Sequence, residues 1–359
     1  MESGLQESRL ILFKQKILNL KENMMMKNKI VNFERTSLLV LTPAVLTLVF
    51  LTLVFLSLFS CTKEVMIDIP GYKEQLVVDG QIETGQPPFV LLSRSKDIYA
   101  PTDFNSFLGS FVSGAVVTMY DGTNTYTLQE VCTDNLPPGA EQFAADLFGI
   151  PVSEISNYHL CGYTSFDPNA FGQVGKTYTL NVEFEGKSYS GSTQIVQPTA
   201  LDSVYWKPEP DLSNYGYSYA FMSDPLGGYD AYKWEVKRLN TVNGEPVDKR
   251  FKATFSPVFD DEFIDGKSFE FFYENPMSYD DDNLEDNLKG YYKQGDTVVI
   301  KFSKMDRYVY EFMISKYTQL QTNGNPFASP TNIVSNLSGG CLGVWAGYSP
   351  TFDTLICQP

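Results

Sequence analysis

The side chains able to carry chemistry in this chain are few in kind. There is one histidine, His159. Serine-histidine-aspartate catalysis needs a histidine base, but His159 stands two residues before Cys161 and reads as a loop or packed residue. No serine lies in a G-x-S-x-G setting, and no C-x-x-C occurs. Zinc chemistry therefore lacks its usual donors, and no phosphate-cradling glycine motif is present. Carboxylates are plentiful, so paired-acid glycoside hydrolysis is not dismissed by residue count. The dense groups are Asp260, Asp261, Glu262 and Asp280, Asp281, Asp282. Neither fits an EF-hand loop, because Phe263 or Leu284 falls where a ligand should be. They read as solvated turns, with a casual calcium site or catalysis as the other readings. Trp206, Trp234 and Trp345 have faces that can stack on sugars, although strand aromatics usually build cores. Trp345 and Tyr348 stand out as candidate ligand or partner contacts. They lie in a tail with Gly339, Gly340, Gly343 and Gly347, and glycine permits close approach of another group. Ordinary β-edge packing explains those glycines almost as well. No catalytic residue, metal or cofactor is expected.

What would position such a chain begins with Thr36–Ser60, twenty-five uncharged residues that end at Cys61. The run is long enough to span a bilayer. It also has the form of a secretory signal peptide, with Lys27, Lys29 and Arg35 ahead of it. Leu58-Phe59-Ser60-Cys61 resembles the lipobox of bacterial lipoprotein signal peptides, with Phe59 bulkier than usual. The resemblance implies cleavage before Cys61 and lipidation of its thiol. Several acyl chains together anchor a protein nearly permanently, whereas one holds only marginally. Met24, Met25 and Met26 are alternative starts. Lys63-Glu64 resembles the surface-export signal of Bacteroidota lipoproteins; an ordinary solvated tether is the other reading.

With Cys61 lipidated, Cys132, Cys161, Cys341 and Cys357 remain. An exported protein meets an oxidising compartment. The pairing with the shortest loops is Cys132–Cys161 and Cys341–Cys357. The net charge is −16, and from Cys61 onward 20 basic residues face 39 acidic ones. Such a surface repels nucleic-acid phosphates and anionic lipid headgroups, so lipid rather than charge would do the membrane binding. Hydrophobic content of 43% suffices for folded cores.

The remaining chain is mainly β and is expected to form two β-sandwich domains. Residues 61–73 are a tether, 74–200 an immunoglobulin- or transthyretin-like sandwich, and 201–359 a second sandwich with one packed amphipathic helix. In the first, "EQLVVDGQIE" and "PPFVLLSRSKD" read as strands. "SGAVVTMYDGTNTYTLQEV" reads as a hairpin turning at Asp121-Gly122. "GKTYTLNVEFEGKSYSGSTQIV" reads as another, turning at Glu185-Gly186. Residues 133–160 break the pattern and form an insertion with a short helix, clipped at its base by the first disulfide. In the second, strands flank Asp224-Pro225-Leu226-Gly227-Gly228, and "DDEFIDGKSFEFFYE" and "GDTVVIKFSKMD" add more. Met305, Tyr308, Val309, Phe312, Met313, Tyr317 and Leu320 have helical spacing, giving a helix over about 304–322. Ser303 with Asp306 is its expected cap.

These segments, from "EQLVVDGQI" and "VSGAVVTMYDG" through "LDSVYW", "SDPLGGYDAYKW" and "DDEFIDGKSF" to "NPFASPTNIVSNLSGGCLGVWAGY", resemble a family of Bacteroidota outer-membrane lipoproteins of unknown function. Members commonly accompany TonB-dependent receptors. The resemblance spans nearly the whole chain after Cys61 and rests on structural rather than chemical motifs. It implies a non-enzymatic, lipid-anchored protein, exposed on the cell surface, that serves as an accessory or binding component of a TonB-dependent import system, with the receptor as partner. An adhesin or envelope-structural lipoprotein, and a glycan-cleaving enzyme, are the alternatives.

Overall fold

In a computed structural model of the protein, the structure describes residues 72–97, 100, 103–322 and 332–358. The expected signal segment, its cysteine Cys61 and most of the tether lie outside the described residues.

Alternation of apolar and polar residues makes most of the strands, because successive side chains of a strand face opposite sides. β1 (Leu76–Glu83), β2 (Phe89–Arg94), the short helix α1 (Phe104–Leu108), β3 (Val116–Tyr120) and β4 (Thr125–Cys132) open the chain. The insertion then contributes helix α2 (Glu141–Phe148), and β5 (Cys161–Thr164), β6 (Thr177–Phe184) and β7 (Lys187–Gln194) follow. The second half contains β8 (Ser203–Glu209), β9 (Leu212–Ser223), β10 (Ala231–Arg238), a small ribbon of β11 (Thr241–Val242) and β12 (Glu245–Pro246), β13 (Lys252–Asp260) and β14 (Ser268–Tyr273). β15 (Tyr292–Lys293), β16 (Thr297–Met305), helix α3 (Arg307–Thr322), β17 (Leu337–Ser338) and the long β18 (Leu342–Ile356) complete it.

Twelve of these strands form one sheet in the order β13-β10-β16-β18-β1-β2-β5-β4-β3-β6-β7-β17. Its first-half end folds over itself at β4. Leu128 still pairs with Val117 of β3, while Gln129 already pairs with Thr164 of β5. The two layers enclose Val78, Ile82, Val90, Leu92, Val117, Met119, Leu180 and Val182. At the other end, the separate sheet of β8, β9, β14 and β15 covers β10 and β16. Between them lie Trp206, Met222, Trp234, Ile300 and Phe302. Against a third cluster α3 places Val309, Phe312 and Met313 onto Ala231, Val258, Val344 and Ala346. The architecture is mainly β and consistent with a β-sandwich, with a few helices.

Two expectations change here. Most of the first core comes from before residue 200 and the second from after it, but Cys341 and Trp345 join the first, the sheet is continuous, and Gly71–Pro359 forms one unit. The reason is β18. Leu342–Tyr348 pairs in parallel with β1, and Tyr348–Ile356 pairs antiparallel with β16. One fifteen-residue strand thus belongs to both halves. The helix cap also differs. Ser303 is a buried β16 residue, and Asp306 caps α3 alone, accepting from Val309 N at 3.0 Å. Its second carboxylate oxygen accepts from Thr193 Oγ1 at 2.7 Å and Gln194 N at 2.8 Å, tying the helix start to β7.

Candidate functional site

The insertion and the sheet beside it leave an apolar cleft of about 420 Å³. Its floor is Gln81 and Glu83 of β1, Phe89 of β2, Val131 of β4 and Gly162 and Thr164 of β5. Its roof is α2, which presents Phe143, Ala144, Leu147 and Phe148. The amphipathic spacing of α2 explains this: Ala144, Ala145 and Phe148 are buried, while Phe143 remains 60% exposed at the rim. The Phe143 ring stands edge-on to Phe89 at 5.8 Å between centroids. Gly162 makes room, since a Cβ there would lie 2.9 Å from Phe89 Cζ.

The base of the insertion is fixed covalently. Cys132 and Cys161 face each other across β4 and β5 and are joined as a disulfide. His159 sits beside it, with Nδ1 2.8 Å from Asp134 Oδ2. Polar groups in the cleft are few. Lys301 Nζ reaches Glu83 Oε1 at 2.5 Å, with Glu235 3.9 Å away on its other side. Burial opposes ionisation of Glu235, but Lys233 and Lys301 outweigh it and hold its carboxyl below the ordinary value. An apolar hollow with one oriented ion pair suits a ligand that has an apolar body and a polar end.

A second feature lies on the outer face of β8, β9 and β14. Tyr205 stacks on Tyr219 at 5.8 Å, Phe272 lies against both Tyr219 and Tyr217, and Tyr291 continues the row. Lys207 lies 4.1 Å above the Tyr219 ring and pairs with Glu270, which also accepts from the Tyr205 hydroxyl. Sequence reading passed over this row. Its signal was there, in Tyr217, Tyr219 and Phe221 alternating along β9 with the buried Ser218, Ala220 and Met222.

Two expected sites are corrected. Trp345 and Tyr348 do not face a ligand or partner; both are buried. Trp345 Nε1 donates to Tyr178 O at 3.0 Å, and its ring covers Gly80, where a Cβ would lie 2.7 Å away. Three of the neighbouring glycines do serve close approach, but within this chain: Gly343 to β1, and Gly339 and Gly347 to β7. Gly343 has φ +103°, and a Cβ there would be 1.9 Å from Val78 O. The Cys341–Cys357 pairing is also overturned: both thiols are free and buried. They flank β18, whose fifteen residues at about 3.3 Å each set its ends roughly 50 Å apart, far beyond disulfide reach. Cys341 joins the first core and Cys357 the second. Burial, with Asp296 nearby, pushes the Cys357 thiol up to about 12, so it stays neutral and inert.

Of the acidic groups, Asp280–Asp282 are exposed. Asp261 is buried, and burial together with Asp224 and Asp230 raises its carboxyl above the ordinary value. Trp206 and Trp234 are core residues. Among the described residues no helix is long and apolar enough to cross a membrane.

No match is found among curated proteins. A family model described as a domain of unknown function, DUF4249, matches residues 62–352. That span covers the cleft, most of the core residues and the first eleven residues of β18, and on it this chain belongs to the DUF4249 family.

Proposed function

We propose that this protein is a lipid-anchored binding protein of the outer-membrane surface, acylated at Cys61, that holds an amphipathic ligand beside a TonB-dependent receptor. The cleft under the disulfide-clipped insertion is the observation that carries the binding reading. Its walls are apolar, its rim exposes Phe143, and its floor holds the Glu83–Lys301 pair. The anchor reading is supported by the Leu58-Phe59-Ser60-Cys61 pattern and by the family match, which begins at Thr62. An anchored binder works through effective concentration: ligand released from the cleft is already next to the pore.

Glu83 is the one carboxylate among the described residues lining the cleft, and it is held by Lys301. Paired-acid glycan cleavage requires two, so binding is favoured there over hydrolysis. The partly exposed aromatic row on β8, β9 and β14 favours a second reading, a surface adhesin, because half-buried tyrosine rings flanked by Lys207 and Glu270 suit contact with sugars or another protein.

The test is co-purification from detergent-solubilised membranes with tagged wild type and with a Gly162→Leu variant, which fills the cleft floor. A β-barrel receptor recovered with the wild type supports the import reading; its absence in both samples overturns it. Binding of a fluorescent amphiphile such as anilinonaphthalene sulfonate, lost in Gly162→Leu, supports the cleft. Equal binding by the two proteins removes it as the site.

A further inference from the structure

The two connections that carry the chain between the layers of the second sandwich run side by side. Residues 224–230 lead from β9 to β10, and residues 261–267 return from β13 to β14. Each bonds the other: Asp224 N donates to Lys267 O at 3.0 Å and Asp261 N to Asp230 O at 2.9 Å. This crossing gathers three carboxylates. Asp224, Asp261 and Asp265 each offer an oxygen within 4.8 Å of the others.

Like charges this close repel strongly in a partly dry site, and among the described residues no cation forms an ion pair with these three. Lys304 is committed to Asp230 at 2.7 Å, Lys267 donates to Phe263 O, and Arg307 pairs with Glu311. Asp224 and Asp261 are only 5% and 4% exposed. Asp224 is oriented through Tyr232 OH at 2.6 Å, and Asp265 through Gly227 N at 2.7 Å. Asp261 differs: its Oδ2 is fully buried and has no hydrogen-bond partner. A buried carboxylate oxygen left without a donor is costly unless it meets a proton or a metal ion.

We propose that Asp224, Asp261 and Asp265 bind a calcium ion that staples the two crossings together. All the donors are hard oxygens, which suit Ca²⁺ or Mg²⁺ and not zinc or copper. They come from two irregular loops rather than an octahedral frame, and Ca²⁺ tolerates such geometry while Mg²⁺ does not. Asp265 is exposed, and Asp261 and Asp265 line a surface hollow of about 420 Å³ shared with Tyr229, Asp260, Glu262 and Arg307, whose guanidinium is paired with Glu311. That hollow supplies an entry path and room for coordinating water. Tyr232 and Gly227 act as the outer partners that fix ligand direction. The affinity expected for an extracellular module of this type is about 10⁻⁴–10⁻³ M. The site is separate from the apolar cleft and stands or falls without it.

The test uses the whole protein, stripped with chelator and titrated with CaCl₂ or MgCl₂ alone, followed by calorimetry and thermal melting. The expected result is one calcium per chain and a melting temperature raised by several degrees at millimolar Ca²⁺, with a smaller effect of Mg²⁺. Asp265→Asn, at an exposed position, should fold normally and weaken calcium binding about tenfold or more. Asp261→Asn should abolish the calcium-dependent shift while melting no lower than the stripped wild type, because it removes the unpaired charge. No binding heat and no shift at millimolar Ca²⁺ would mean a proton occupies Asp261, and the proposal falls. It falls equally if Asp265→Asn binds as the wild type does, or if Mg²⁺ matches Ca²⁺ in both readouts.

Discussion

Single residues in this protein are set by what surrounds them more than by their type. Trp345 has the aromatic face of a ligand platform, yet its ring covers Gly80 and its nitrogen is committed to Tyr178 O. Trp345→Ala should therefore cost about 3–5 kcal/mol in chemical denaturation and leave amphiphile binding by the folded fraction unchanged. A near-neutral effect on stability with loss of binding would return it to the surface. Asp121 gives a pH prediction. Burial works against its ionisation, but the amides of Asn124 and Thr123 and the Lys176 ammonium win, and its pKa falls to about 2. A depressed folded pKa means the unfolded chain binds more protons in that window, so stability rises with pH there. The contribution, on the order of 2 kcal/mol, is complete above the ordinary carboxylate pKa and disappears as pH drops toward 2. Asp121→Asn should flatten that part of the acid-denaturation curve; an unchanged slope would remove Asp121 from the account.

At the scale of elements, two ties decide local order. The disulfide between Cys132 and Cys161 closes a loop with a sequence separation of 29, worth roughly 3 kcal/mol by chain entropy. Replacing both cysteines with serine should loosen α2 first, seen as faster amide exchange over 141–148, with the cleft losing its roof and amphiphile binding weakening. Uniform exchange across the chain would contradict a locally clipped insertion. Asp306 joins the start of α3 to β7 through Thr193 and Gln194. Asp306→Ala removes the cap and this bridge together, and should cost about 1–2 kcal/mol, with increased exchange at both places. An effect confined to α3 would show that the bridge adds nothing. Helices α2 and α3 were legible in the sequence from their apolar spacing, and the five-residue α1 was not. The cap was not, because Ser303 and Asp306 fit a local motif, and only the strand extending to Met305 shows that Ser303 is already inside the sheet.

The whole molecule is organised by β18. Its first half belongs to the sandwich of β1 and its second to that of β16, meeting at Tyr348. Two cores were readable, because most residues of each come from one run of alternating strands, before or after about residue 200; that Cys341 and Trp345 join the first was not. A shared strand was not readable, since β18 lies more than 250 residues from β1 in the chain and its pairing is a long-range choice. Calorimetric unfolding should accordingly give one cooperative transition, with calorimetric and van't Hoff enthalpies in agreement. Two resolved transitions would restore independent domains.

Local chemistry in the sequence was enough to determine many of the strands, the turns at Asp121-Gly122 and Glu185-Gly186, the insertion, the amphipathic helix and the acidic surface, because alternation, glycine and charge act over a few residues; β5 and β13 were not read, and residues 261–267, read as strand, form a connection. Tertiary structure alone decided which aromatics are buried, which cysteines meet and which carboxylates crowd together. Those outcomes depend on contacts between distant segments. Cys341 and Cys357, sixteen positions apart, are held at opposite ends of one extended strand, while Asp224 and Asp261, thirty-seven positions apart, are brought side by side.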